Sequence, residues 1–175
     1  KKEERDVERR ERALADGTVD ENPETVADFE RLLTTHPNSS EHWIRYMAYH
    51  LSLGDVEAAR QVAERALERI AFRQEGERLN VWTALLALEF KYGSKDGLQE
   101  TVDRACQHNN GKQVYLRVCE MMEKEAMTSL ENDNNGNGKL NEVFERADDM
   151  FSRMCKKFKS KKTVWIAYVS YLLRT

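Results

Sequence analysis

The chain of 175 residues contains only 2 prolines, 8 glycines and 3 cysteines. So few prolines and glycines exclude a protein of many short strands and tight turns, and the abundant Ala, Leu, Glu, Lys and Arg favour helices. The cysteines, Cys106, Cys119 and Cys155, are odd in number, widely spaced and never paired as CxxC. They predict reduced thiols of a cytosolic or nuclear protein rather than a disulfide framework.

Neither charge of one sign nor a long apolar run dominates the sequence. The 28 basic and 31 acidic residues leave a formal net charge of −3, which gives no strong global attraction for nucleic acid or a membrane surface. No stretch approaches the ~20 apolar residues of a membrane helix, and the charged start does not resemble a signal peptide. Because the chain begins without Met and stops at Thr175, just after an apolar stretch, we expect it to be a piece of a longer protein.

Motifs of catalysis and cofactor binding are also missing. The sequence contains no GxxxxGK[ST], GxSxG or GxGxxG pattern, so phosphate-loop and nucleophile-elbow enzymes lack their usual signature. The four histidines show no HExxH spacing and no cysteine lies close to them in the pattern of a zinc site. We therefore expect no enzyme activity, metal site, cofactor or small-molecule substrate.

One segment, residues 133–140, is similar to the start of a calcium loop. It offers oxygen ligands at the first, third and fifth positions and Gly138 at the sixth. The twelfth position should be a bidentate Glu but is Phe144, with Glu145 one place late, and Asp133 is the only charged early ligand. We interpret the segment as a solvated loop.

Apolar residues recur at helical spacing along most of the chain. Thr25 is placed to cap a short helix that carries Phe29 and Leu32 on one face. A longer helix then ends at Gly54, and Asp55 is placed to cap a second helix with a wide apolar stripe. The short junction predicts an antiparallel pair.

The sequence pattern of this helical hairpin is repeated along the chain. The distance from Trp43 to Trp82 is 39 residues, and the distance from Arg65 to Arg104 is also 39, so both helices keep one period. We predict an all-α protein, an α-solenoid of helix-turn-helix repeats. Residues 1–24 are predicted to be a charged linker, either disordered or a solitary helix, and residues 25–175 the repeat array. The copies span about 39–72, 79–108, 112–158 with an insert at 126–142, and 160–175 as a partial fourth.

Large rings and small alanines occupy matching places in these copies. A large ring fills the groove between paired helices, while alanine lets the backbones approach. The residues predicted to form the repeat core are Trp43, Tyr46, Ala59, Ala66, Trp82, Ala105, Tyr115, Trp165 and Tyr168.

One cluster of basic residues stands above the background. Clustered cations engage phosphates through counterion release, and several are needed for useful affinity. The alternative is a helix C-terminus whose lysines offset the helix dipole and stay hydrated. The RNA-binding candidates are Arg153, Lys156, Lys157, Lys159, Lys161 and Lys162.

The pattern resembles half-a-tetratricopeptide (HAT) repeats, through Trp43-x-x-Tyr46 in a first helix and residues 59–67 (ARQVAERAL) in a second. In such repeats an acidic residue of the first helix pairs with the arginine of the second, which would be Glu89 with Arg104. The positions equivalent to Glu89 are not acidic, so a uniform ionic ladder is not expected; they are His50, Met122 and Leu172.

A closer resemblance is to the C-terminal repeat region of the ribosomal RNA processing protein five family. It rests on residues 29–33 (FERLL), 37–40 (PNSS), 43–48 (WIRYMA), 63–67 (AERAL) and 79–82 (LNVW). This resemblance implies a non-catalytic scaffold of ribosome biogenesis in the nucleus and nucleolus, which binds pre-ribosomal RNA and assembly proteins and no membrane. A HAT-repeat scaffold of mRNA splicing or 3′-end processing is the alternative, and a helical enzyme or calcium sensor is a third class.

Overall fold

The computed structural model describes residues 23–132 and 139–174, and side chains outside 129–143. In these ranges the chain forms eight helices and no strand, so the all-α prediction is confirmed. Within each described range, short turns join successive helices, consistent with a helical repeat solenoid. The helices are α1 (Val26–Thr35), α2 (Ser40–Ser52), α3 (Val56–Arg69), α4 (Glu75–Tyr92), α5 (Lys95–His108), α6 (Gly111–Asn132), α7 (Lys139–Lys157) and α8 (Lys162–Arg174).

The chain divides into two compact units, and the first extends to Val81. Its described part holds α1, α2, α3 and the start of α4. The predicted caps are confirmed: Thr25 accepts a hydrogen bond from the Asp28 amide while the Asp28 carboxylate accepts one from the Thr25 amide. Asp55 accepts from the Ala58 amide at 2.9 Å. Between α2 and α3, Gly54 has a φ of 78°, which glycine adopts without strain.

The α2 and α3 helices pack closely because α3 presents small side chains to α2. Ala59, Ala63 and Ala66 have no exposed surface, and Trp43 and Tyr46 of α2 are buried. At 0% exposure there is no room for added atoms on this face of α3.

We therefore expect Ala66→Leu to destabilise the chain by about 1–3 kcal/mol, because overpacking forces backbone shifts. Urea melts followed by circular dichroism would measure the loss. Gln61→Leu places the same side chain at an exposed position of α3 and serves as the control. Equal stability of the two variants would contradict the close packing at Ala66.

The second unit begins at Trp82 and contains the end of α4 and helices α5 to α8. Within it, α6 packs against α5 and α7, and α8 packs against α6 and α7. Its interior is lined by Val118 and Met122 of α6, and by Ala147, Phe151 and Met154 of α7. These α7 residues recur three and four apart, the spacing of one helix face.

The predicted insert at 126–142 contains helical backbone at both of its ends. Helix α6 continues to Asn132 and α7 begins at Lys139, so the backbone is helical at both ends of this segment. Most of the calcium-loop resemblance falls on residues 133–138, which lie outside the described residues. Among the helices that are described, none is long and apolar enough to cross a membrane.

Candidate nucleic-acid interface

Two turns, one in each unit, have the same length and the same backbone hydrogen bonds. One joins α1 to α2 over residues 36–39, and the other joins α7 to α8 over residues 158–161, so equivalent positions are 122 residues apart. The amide of His36 donates to the Leu32 carbonyl at 2.9 Å, and the amide of Phe158 donates to the Met154 carbonyl at 2.9 Å. The two turns are therefore equivalent in local structure.

Aromatic packing follows the same register. Phe29 stacks on Tyr46 with 4.9 Å between ring centroids, and its counterpart Phe151 stacks on Tyr168 at 5.4 Å. The repeated contact shows that both hairpins use one packing scheme.

The indole groups repeat as well. Trp43 donates its Nε1–H to the Pro37 carbonyl at 2.9 Å, and Trp165 donates to the Lys159 carbonyl at 2.9 Å. Each acceptor lies six residues before its tryptophan. Both rings are thus fixed in the same way relative to the turn that precedes them.

The exposed faces of the two turns carry different charge. At five equivalent positions the first turn and its flanks have the uncharged residues Thr34, Thr35, Pro37, Ser39 and Ser40. The second has lysine at all five. We call this set the lysine turn, and all its members are exposed: Lys156, Lys157, Lys159, Lys161 and Lys162.

The surrounding sequence reinforces this positive charge. Residues 151–175 contain seven lysine or arginine residues and no aspartate or glutamate, a formal charge of +7. Since the whole chain carries −3, residues 1–150 carry −10. The end of the second unit is therefore a cationic region on an otherwise acidic chain.

Arg153, the sixth predicted RNA contact, pairs with side chains of α5 and α7. Its guanidinium lies 3.0 Å from the Asp149 carboxylate and donates to the Gln99 side chain of α5 at 2.7 Å. By contrast, Lys156 and Lys159 line a cavity of about 500 Å³ together with Trp165 and Tyr168. Lys157 Nζ lies 5.0 Å from the centroid of the Tyr115 ring of α6. The structure thus brings two of the six predicted cations to one cavity, and Arg153 pairs within the fold.

Trp165 is not in the core, so that part of the prediction is wrong. It is 46% exposed, whereas Trp43 and Trp82 are each 2% exposed. A second helix covers the buried pair, with Arg65 5.8 Å above the Trp43 ring and Arg104 5.5 Å above the Trp82 ring. In the described residues α8 packs only against α6 and α7, and its outer face stays exposed. That face comprises Trp165, Ile166, Val169, Leu172 and Leu173.

Tyr168 is also only partly buried. Its hydroxyl donates to Asp148 Oδ1 at 2.5 Å, and this bond raises the pKa of Tyr168. The other predicted core residues are at most 4% exposed: Tyr46, Ala59, Ala66, Ala105 and Tyr115.

Sequence reasoning missed Glu30 of α1. Arg65 donates from both terminal nitrogens to the two Glu30 oxygens at 2.8 Å, and the Tyr46 hydroxyl donates to the same carboxylate at 3.0 Å. In this hairpin the acid that pairs with the arginine therefore comes from the preceding helix rather than from α2. Glu30 lies in the FERLL segment, one of those that carry the family resemblance, and this was the sequence signal that could have indicated a role for it.

The Glu30 carboxylate predicts a pH dependence. Hydrogen bonds from Arg65, above all, hold the pKa of Glu30 below its ordinary value. Because the pKa is lowered on folding, ionised Glu30 stabilises the fold above the unfolded pKa of about 4.3, and this contribution is lost as pH falls through the lower folded value.

We expect Glu30→Gln to cost about 0.5 kcal/mol at pH 7, since this ion pair is nearly half exposed. Urea melts from pH 7 down to pH 3 should show the difference from wild type shrinking with acid. Glu68→Gln, at an exposed position of α3, is the control. A difference that grows with acid would contradict the sign.

The three cysteine thiols are not activated as nucleophiles. Burial raises the pKa of all three thiols, Cys106, Cys119 and Cys155, which keeps them neutral and weakly nucleophilic. Across the described side chains, no group of three or more His, Cys, Asp and Glu is placed to hold a metal. The fold is that of a helical-repeat protein.

Comparison with known proteins identifies the relatives of the chain, although no family model matches it. The human "Protein RRP5 homolog" is 42% identical over 173 residues, which is 99% of this chain and 8% of the relative. The "rRNA biogenesis protein rrp5" of Schizosaccharomyces pombe is 43% identical over 155 residues, 89% of this chain and 8% of the relative. That of Arabidopsis thaliana is 36% identical over 154 residues, 87% of this chain and 7% of the relative. The chain is a homologue of one segment of the RRP5 proteins, which confirms the resemblance.

Proposed function

We propose that this chain is a non-catalytic binding module of ribosome biogenesis that contacts precursor ribosomal RNA and assembly proteins in the nucleolus. The observation that carries the proposal is the similarity to RRP5 proteins over 87–99% of the chain, since the names of several relatives state rRNA biogenesis. The chain spans about 8% of the length of the relatives it matches and corresponds to one segment of those longer proteins.

The fold is compatible with binding rather than catalysis. Helical hairpins stacked on their neighbours present continuous surfaces on which a partner docks. In the second unit, the described surface includes the cationic lysine turn and the apolar outer face of α8. Cationic and apolar surfaces suit RNA and protein respectively.

A segment exchange in fission yeast tests this function. The 155 matched residues of S. pombe rrp5 would be deleted, or replaced by the corresponding part of this chain. We expect the deletion to accumulate unprocessed precursor rRNA on northern blots and the replacement to restore processing. A replacement that also carries Trp82→Ala controls for the folded state.

Normal precursor rRNA in the deletion strain would contradict the proposal. Unspliced or unprocessed messenger RNA, with precursor rRNA unchanged, would favour the alternative scaffold of mRNA splicing or 3′-end processing. Both RNA classes can be measured in the same samples.

A further inference from the structure

The lysine turn has an uncharged counterpart in the same chain. The α1–α2 turn shares its length, its backbone hydrogen bonds and its stacked aromatic pair, yet has no lysine at the five equivalent positions. A turn of this kind therefore forms without lysine. The five cations need an explanation other than folding.

The helix dipole explains only two of them. Lys156 and Lys157 lie in the last turn of α7, where positive charge is favourable. Lys161 and Lys162, however, lie at the start of α8, the positive end of its dipole, where cations are unfavourable. The counterparts Ser39 and Ser40 are of a residue type common at helix starts.

The charge of the lysine turn is not neutralised locally. Among the described residues, none of its five lysines forms a salt bridge. The acids just upstream are engaged, Asp148 by the Tyr168 hydroxyl and Asp149 by Arg153. Lys157 Nζ lies 5.0 Å from the centroid of the Tyr115 ring, a contact that does not neutralise its charge. The five exposed side chains therefore keep their positive charge, which attracts an anion.

We propose that the lysine turn binds the phosphate backbone of RNA, an inference that rests on the RNA binding proposed above. Five cations within seven residues match a ligand with closely spaced negative charges. Lysine acts as a point charge, without the planar fork by which arginine recognises carboxylates. Contacts of this kind position RNA and carry no sequence information themselves.

Exchanging the lysines for their uncharged counterparts provides the test. The variant carries Lys156→Thr, Lys157→Thr, Lys159→Pro, Lys161→Ser and Lys162→Ser in the complete chain. A fluorescein-labelled single-stranded RNA from a precursor rRNA spacer would be titrated by anisotropy at several salt concentrations. We expect affinity at least about tenfold weaker, and a salt slope shallower by about 3.5, since each of the five lost phosphate contacts removes about 0.7.

A matched control distinguishes the effect of where the lysines lie from the effect of the lost net charge on RNA affinity. It replaces five cations outside the turn with glutamine, so both variants lose the same charge. We expect the control to bind within about threefold of wild type, because its five cations are spread over several helices and one turn and do not form one cluster of phosphate contacts. Its substitutions, all at exposed positions, are Arg69→Gln, Arg73→Gln, Lys91→Gln, Lys95→Gln and Lys124→Gln.

Stability gives a second readout. Because the α1–α2 turn folds with the uncharged residues, the exchanged variant should unfold at the same or a higher urea concentration than wild type. If it unfolds earlier, Lys159→Gln, Lys161→Gln and Lys162→Gln repeat the test with the end of α7 intact. Weaker RNA binding by this stable variant supports the proposal, and unchanged binding overturns it.

The outcomes distinguish this inference from the proposed function. If wild type binds RNA and the exchanged variant binds equally well, or no worse than the control, the lysine turn is not the site and the broader function stands. If wild type binds no RNA, the RNA-binding part of the proposed function fails too. Displacement of RNA by polyglutamate at equal charge would assign the turn to acidic protein segments and overturn the proposal.

Discussion

Truncating Trp82 to alanine should destabilise the chain by about 3–5 kcal/mol, the range for a buried large aromatic. The ring is 2% exposed, with the Arg104 guanidinium 5.5 Å above it and the His108 ring stacked at 5.9 Å. Removing the indole leaves a cavity between α4 and α5 and separates the two side chains that α5 packs on it. Urea melts followed by circular dichroism would measure the loss.

Two further variants sharpen this prediction. Trp165→Ala makes the same chemical change at a position that is 46% exposed, and should cost less than about 1 kcal/mol. Trp82→Phe keeps part of the ring and removes an indole N–H that has no hydrogen-bond partner among the described residues, so it should cost less than Trp82→Ala. A loss below about 1 kcal/mol for Trp82→Ala would contradict its core position.

Phe151→Ala should have a comparable effect on the second unit, about 3–5 kcal/mol. Phe151 is 1% exposed and stacks on both Tyr168 at 5.4 Å and Tyr171 at 4.6 Å, which holds α8 against α7. Beyond the cavity, the variant loses two aromatic pairs. Amide hydrogen exchange should therefore accelerate in α8 more than elsewhere.

The control for Phe151 is Phe72→Ala, at a position 75% exposed, which should change stability by less than about 0.5 kcal/mol. Phe29→Ala makes the equivalent change in the first unit, where Phe29 stacks on Tyr46, and should destabilise that unit. Unchanged exchange rates in α8 of the Phe151 variant would contradict the role of this ring.

Local features of the fold were predictable from the sequence. The Thr25 and Asp55 caps and the Gly54 turn depend on residues within a few positions of one another, so local chemistry determines them. The helical class follows from apolar spacing in the same way. The end of α6 at Asn132 was harder to predict, because the asparagine and glycine that follow favour a loop.

Features that depend on a third helix were not predictable in this way. The Trp165 pattern is that of Trp43, but burial depends on whether another helix covers the ring. Glu30 pairs with Arg65 across 35 residues, between two helices that flank α2. The sequence indicated the basic cluster, whereas its uncharged counterpart is defined by the matching backbone hydrogen bonds of the two turns, which depend on the folded structure.

The most direct test of the central claim is ultraviolet crosslinking in fission yeast that carries this chain in place of the matched rrp5 segment, followed by mass spectrometry of the crosslinked peptides and sequencing of the RNA. We predict crosslinks between precursor ribosomal RNA and the peptide containing residues 156–162. Crosslinks to messenger or spliceosomal RNA alone, or an absence of RNA from this peptide while other parts of rrp5 remain crosslinked, would contradict the account.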